Sequence, residues 1–262
     1  MHKRYVVVTV SYGMTFRFTV NPYYLLTHSM ERVQKAKPSR AWMKTIERIK
    51  LSPLALLTDG SRSLVNVNTD KKLGALFHGL EKEFRHALRK PVFQRILQET
   101  ETYRDKIANE WTGKQNHILR TLHDIAGLHI PKKSITVLVT HPKLHNGWSV
   151  PEKSIICWGH PEEWRNYSMV YLCHELLHIL THKKLPQSNL AHAVIELATD
   201  NELRIRLNGR GAYFHEGKSR VGHSELQALE QKLLPQWKRY LAGSRKEKNL
   251  IDFAKAMEKR RL

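Results

Sequence analysis

Tyr171-Leu172-Cys173-His174-Glu175-Leu176-Leu177-His178-Ile179-Leu180 is the stretch on which the reading of this chain turns. His174 and His178 stand four residues apart. On an α-helix that spacing projects both imidazoles from one face, about one turn apart. Both nitrogens can then meet one metal ion at roughly 2.0–2.1 Å. Glu175 is rotated about 100° from His174. It falls beside such an ion rather than on it, where it can take a proton from a water activated there. The flanks Met169, Val170, Leu172, Leu176, Leu177, Ile179 and Leu180 make the helix apolar nearly all round, hence buried. Two histidines and a glutamate inside a buried helix are costly unless paired or metal-bound. The competing reading is a core helix whose histidines only hydrogen-bond.

Two helix nitrogens do not hold a catalytic ion alone; three protein ligands and an open position are usual. After a turn at Lys183–Ser188 containing Pro186, a second helix is expected over Asn189–Leu207, stopped by Asn208-Gly209. Glu196 and Asp200 are four apart and share a face of it. Glu196 is the expected third ligand, and Asp200 the acceptor for the second N–H of a ligand histidine.

The set His174, Glu175, His178, Glu196 and Asp200 resembles the gluzincin metallopeptidases, the thermolysin-like clan and its aminopeptidase relatives. Their pattern is His-Glu-x-x-His, then a Glu about twenty residues on and an Asp four later. Here the gap from His178 to Glu196 is 18 positions, and Ile195 stands where that family often has Asn. The resemblance covers about residues 168–207. It implies an α+β, zincin-like fold, with a small mixed or antiparallel sheet, a long backing helix and a buried motif helix. It also implies one Zn2+ per chain and a hydrolase that cleaves peptide bonds in a protein or peptide substrate, with Glu175 as general base.

His192, 14 positions after His178, is the alternative third ligand. In that it resembles the SprT/Spartan-type proteases, whose substrate is protein on DNA, although Ala193 stands where they carry Gly. The ImmA/IrrE family of intracellular zincins has a comparable His-Glu-Leu-x-His helix. His182 lies one turn beyond His178, but Ile179-Leu180-Thr181 lacks the Gly of the metzincin pattern. The reaction also needs an oxyanion donor, typically Tyr or His. Tyr213, His215 and His223 qualify, in a stretch made pliable by Gly209, Gly211, Gly217 and Gly222.

The 262 residues suffice for a substantial core. With 44 basic against 24 acidic residues the formal charge is +20, which favours an anionic partner, nucleic acid or an acidic protein surface. A non-catalytic zinc site in a basic nucleic-acid-binding protein is the reading from another class. Cys157 and Cys173 both sit in apolar runs, so free buried thiols in a reducing, cytoplasmic setting are expected. The Val6-Val7-Val8 run is broken by Thr9, Ser11 and Arg17, a strand pattern rather than a leader's. No run of 18 or more apolar residues is present, so no transmembrane segment is expected.

Three regions are expected. Residues 1–72 hold a hairpin over 4–20 and basic helices over 23–50, where Arg32, Lys35, Lys37, Arg40, Lys44, Arg48 and Lys50 face only Glu31 and Glu47; a short strand is expected near Leu64–Val67. Residues 73–223 form the catalytic core. It has helices over 74–127 split at Pro91, a strand Ile135–Thr140, a loop 141–150, a strand Ser154–Trp158, and then the motif helix over Ser168–His182. The strand at 154–158 is the expected binding edge for extended substrate. Residues 224–262 form a helical end whose Leu250, Ile251, Phe253, Ala254 and Met257 can dock on the body or on a partner.

Overall fold

The computed structural model describes residues 6–8, 13–31, 81–243 and 248–260. The basic segment beyond Glu31 and the strand expected near Leu64–Val67 lie outside the described residues. The chain is mixed α+β around one small mixed sheet. Its strands are β1 (Val6–Val8), β2 (Thr15–Thr19), β3 (Ser134–Val139), β4 (Asn146–Val150) and β5 (Ile155–Gly159). They lie in the order β1-β2-β3-β5-β4. β1 and β2 pair antiparallel, as the hairpin reading requires, while β2, β3 and β5 are parallel. β4 closes one edge antiparallel to β5, with Trp148 opposite Cys157.

Alternation decides the sheet's faces. Phe16 and Phe18 of β2 are buried while Arg17 is exposed. Ile135, Val137 and Ile156 feed the main core, while Leu138 and Cys157 join Tyr24, Leu25 and Phe93 on the opposite face. With both faces covered, β3 reads as a near-continuous β-branched run, Ile135-Thr136-Val137-Leu138-Val139.

Helix α1 spans Pro22–Glu31 and α2 Glu81–Leu88. Helix α3 then runs from Pro91 to Ala126, 36 residues or about 54 Å. Pro91 occupies its first turn, where a missing N–H is harmless. Gly127 ends it in the left-handed region at φ 63°, its N–H bonded to His123 O. Trp111 of α3 packs on Phe16 at 4.2 Å between ring centroids, fixing helix to sheet.

The motif helix α4 covers Tyr167–Thr181. Next come α5 (Asn189–Glu196), a π-helical stretch (Leu197–Leu203) and α6 (Arg204–Asn208). A short hairpin, β6 (His215–Glu216) and β7 (Ser219–Arg220), precedes α7 (Gln227–Leu241) and α8 (Leu250–Lys259). The last two helices dock on the body. Trp237, Tyr240 and Phe253 cluster at 5.1–5.5 Å between ring centroids. The Tyr240 hydroxyl reaches the carbonyls of Ile125 and Ala126 at the end of α3. No helix among the described residues is long and apolar enough to cross a membrane.

Two expectations need correction. Residues 146–150 are a strand, not loop. The strand at 155–159 is flanked on both sides, so its hydrogen-bonding groups are used and it offers no binding edge. The edge on this side of the sheet is β4, whose outer side no strand covers among the described residues.

Candidate metal centre

Helix α4 carries His174 and Glu175 at 3% and 9% exposure, and His178 half-buried one turn on. Helix α5 packs across it. Its start is set by Ser188, whose hydroxyl accepts from the Ala191 N–H at 3.2 Å. That cap places His192 at the end of the first turn, toward the motif histidines. His192 Nε2 and His178 Nε2 each lie 3.2 Å from His174 Nε2. His174, His178 and His192 thus form one group of donors with all ligating atoms within 4.8 Å of one another.

The donor set fits a metal ion better than it fits protons. Ligands at zinc–nitrogen distance around a tetrahedral centre stand about 3.3–3.4 Å apart. His174 Nδ1 lies 2.9 Å from Asp200 Oδ1, which takes its N–H and leaves Nε2 with a single lone pair. That lone pair cannot accept well from both His178 and His192, whereas one cation satisfies all three nitrogens. Burial lowers the three imidazoles, His174 to about 4 and His178 and His192 to about 3, so their lone pairs are free at neutral pH.

Asp200 sits where an outer acceptor is needed. Burial pushes its carboxyl up to about 7 against the Thr199 hydrogen bond that lowers it. Glu175 is raised to about 7, by burial first, against a hydrogen bond from Ser149, with the Asp200 charge adding to the rise. Ser149 lies on β4, so the free edge strand and the expected base are tied together.

Glu196 is not placed as expected. It is fully buried, but it groups with His192 and His223 rather than with His174 and His178. Its Oε1 lies 2.5 Å from His223 Nδ1 and 3.4 Å from His192 Nε2, and its Oε2 accepts the His223 N–H at 2.9 Å. The carboxylate is occupied by a residue 27 positions away, one turn too far along α5 to join the motif histidines. His223 is raised to about 9, chiefly by its bond to Glu196.

Of the three expected oxyanion donors, only His223 lies at the site, its ring centroid 4.7 Å from that of His192. The Tyr213 hydroxyl donates to Glu202 at 2.5 Å and accepts from Trp237 Nε1 at 3.1 Å, which commits it elsewhere. His215 is exposed on β6, opposite Arg220. Three residues at the site were not read as site residues from the sequence: Ser149, which carried no signal, Gly222, which entered only as a source of pliability, and Tyr171, whose hydroxyl accepts the Gly222 N–H at 3.4 Å. Tyr171 stands one turn before His174, the only hint the sequence held.

No family model, curated protein or solved structure matches the chain.

Proposed function

We propose that this chain is a zincin-like, zinc-dependent metallopeptidase in which His174, His178 and His192 hold the ion and Glu175 is the general base. The observation that carries the reading is the convergence of three imidazole nitrogens from two helices, those of His178 on α4 and His192 on α5 each 3.2 Å from that of His174, with the buried carboxylate of Glu175 next to His174 on α4. A bound zinc ion supplies Lewis acidity and a lowered water pKa at such a site. Glu175, raised to about 7, is matched to taking a proton from water and returning it to a leaving amine. A structural zinc site has no use for such a base. Asp200 fixes the tautomer and ring of His174. The free edge of β4 offers backbone donors and acceptors to an extended peptide, and Ser149 links that edge to Glu175. Cys157 and Cys173, both buried and neither in a disulfide, suit a reducing compartment and support a cytoplasmic setting.

A second reading follows from the choice of third ligand. His192 in that role is the arrangement the SprT-type resemblance implies, and the +20 charge suits a protease acting on nucleic-acid-bound protein. Cleavage together with steeply salt-dependent DNA binding would favour it; cleavage without such binding would remove it.

The test is metal content of the purified chain by mass spectrometry, wild type beside His192→Ala and Glu196→Ala. One zinc per chain is expected in wild type, lost in His192→Ala and kept in Glu196→Ala. Loss in Glu196→Ala alone would restore the gluzincin ligand set. No zinc in wild type, even when zinc is offered, would overturn the proposal.

A further inference from the structure

The described residues hold two donor groups that overlap in one side chain. The inner group is His174, His178 and His192; the outer is His192, Glu196 and His223. Exposure falls among the histidines from the outer group to the inner one, while the Glu196 carboxylate between them is fully buried. The His223 side chain is 48% exposed, that of His192 31%, and that of His174 3%. Ring centroids follow the same path, 4.7 Å from His223 to His192 and then 4.9 and 5.2 Å from His192 to His178 and His174. The shared nitrogen faces both ways, with His192 Nε2 3.4 Å from Glu196 Oε1 and 3.2 Å from His174 Nε2.

A hydrated divalent ion cannot reach a buried site without shedding its water, and shedding water before gaining ligands is costly. Donors that replace water one at a time, from the surface inward, lower that barrier. We infer that His223 and Glu196 form an outer metal-binding position through which the ion is loaded, passing to His174 and His178 while it stays bound to His192. This rests on the reading that those three histidines hold the resident ion.

At rest the outer position is closed, because His223 Nδ1 and Glu196 Oε1 are paired with each other, 2.5 Å apart. An arriving ion parts that pair, and the contact re-forms once the ion has moved inward. The outer position is therefore transient, and one ion is bound at equilibrium. Its side chains are held ready by backbone. Gly222, at φ +78°, brings the chain against Glu196 so closely that a Cβ there would overlap Oε2. The following N–H, that of His223, is fixed to the same oxygen.

The experiment uses the full chain freed of metal, cobalt(II) chloride as the probe, and the absorption of four-coordinate cobalt as the signal. Association is followed by stopped flow, and release by adding excess EDTA. A loading path speeds passage in both directions without changing the end states. In His223→Ala, association and EDTA-driven release should therefore both slow, each on the order of tenfold, with Kd unchanged. The final cobalt spectrum should match wild type. Release that accelerates, with weaker binding, would make His223 a resident ligand and overturn the inference. So would an unchanged or faster association rate, or two ions per wild-type chain at equilibrium. If Glu196→Gln folds, it should slow both directions likewise. Wild type that binds no cobalt at all would instead remove the proposed function itself, and this inference with it.

Discussion

Gly222→Ala puts a number on how tightly the outer rim of the site is built. A Cβ at residue 222 would overlap Glu196 Oε2 at well under 3.0 Å, press on its Cδ at 3.2 Å and touch Asp200 Oδ2 at 3.6 Å. A long side chain often yields to such pressure, but Glu196 cannot. It is fully buried, with Oε1 held by His223 Nδ1 and Oε2 by the His223 N–H. Placing alanine in the left-handed region costs about 1 kcal/mol, and overpacking a filled site costs about 1–3 kcal/mol more. The sum is about 2–4 kcal/mol. Gly217 is the control: it has φ +58° but open space around a Cβ, so Gly217→Ala carries only the backbone cost of about 1 kcal/mol. For a chain of this size each kcal/mol moves Tm by about 2–4 °C. Thermal and urea unfolding of the two variants, both metal-free, measures the difference directly. Stability losses that agree within about 0.5 kcal/mol, a usual measurement spread, would refute the claim that Glu196 is pinned.

Three further outcomes are expected. Glu175→Gln should keep its zinc and lose peptidase activity by about 10²–10⁴-fold, read by metal content and turnover side by side; wild-type cleavage in this variant would remove Glu175 as the base. Asp200→Asn should weaken metal binding by about 10–100-fold in chelator competition, because the amide can turn its NH2 to His174 Nδ1 and reverse the tautomer; unchanged affinity would detach Asp200 from the site. Glu230 is fully buried and raised to about 8, by burial first and then by the charges of Glu196 and Asp200. The folded chain therefore keeps a proton that the unfolded chain has lost between its ordinary value of 4.5 and about 8, so stability falls as pH rises through that window. The slope from one proton is at most about 1.4 kcal/mol per pH unit. Glu230→Gln should gain on wild type from pH 5 to pH 8 in urea unfolding, and a constant difference would show that Glu230 is not held protonated.

Much of the fold was legible because it is written locally. Helix α3 is bounded by Pro91 and Gly127, two residues whose backbone chemistry leaves little choice. The motif helix starts at Tyr167 and ends at Thr181, within one residue of the expected bounds, because its apolar flanks run without a breaker. Strand β4 was hidden for the opposite reason. Asn146 and Gly147 look like a turn, and an edge strand with half-buried side chains shows little alternation. Its pairing with β5, Asn146 to Gly159 through Val150 to Ile155, is a tertiary fact. The π-helical stretch over Leu197–Leu203 was equally silent, since no residue pattern distinguishes its wider turn from an α-helix.

The third ligand shows where local reading stops. His192 and Glu196 are four apart on α5, so they share one face and stand about 6 Å apart along the axis. Any sequence argument that brings one of them to His174 and His178 brings the other within a turn. The choice depends on how far α5 slides along α4, and that is fixed by contacts distant in sequence. Ser188 sets where α5 begins, and Ala191, Ala193 and Val194 pack it into the main core. The slide leaves His192 level with the motif and Glu196 one turn past it, where His223 claims the carboxylate. The π-helical stretch then acts on Asp200. In a turn bonded i to i+5 the residue four along falls short of a full turn instead of overshooting it, which keeps Asp200 on the side of His192 and Glu196, where it meets His174 Nδ1. A one-turn difference in packing thus separates a three-histidine site from a two-histidine, one-glutamate site. That is why metal content compared between His192→Ala and Glu196→Ala discriminates between them where spacing could not.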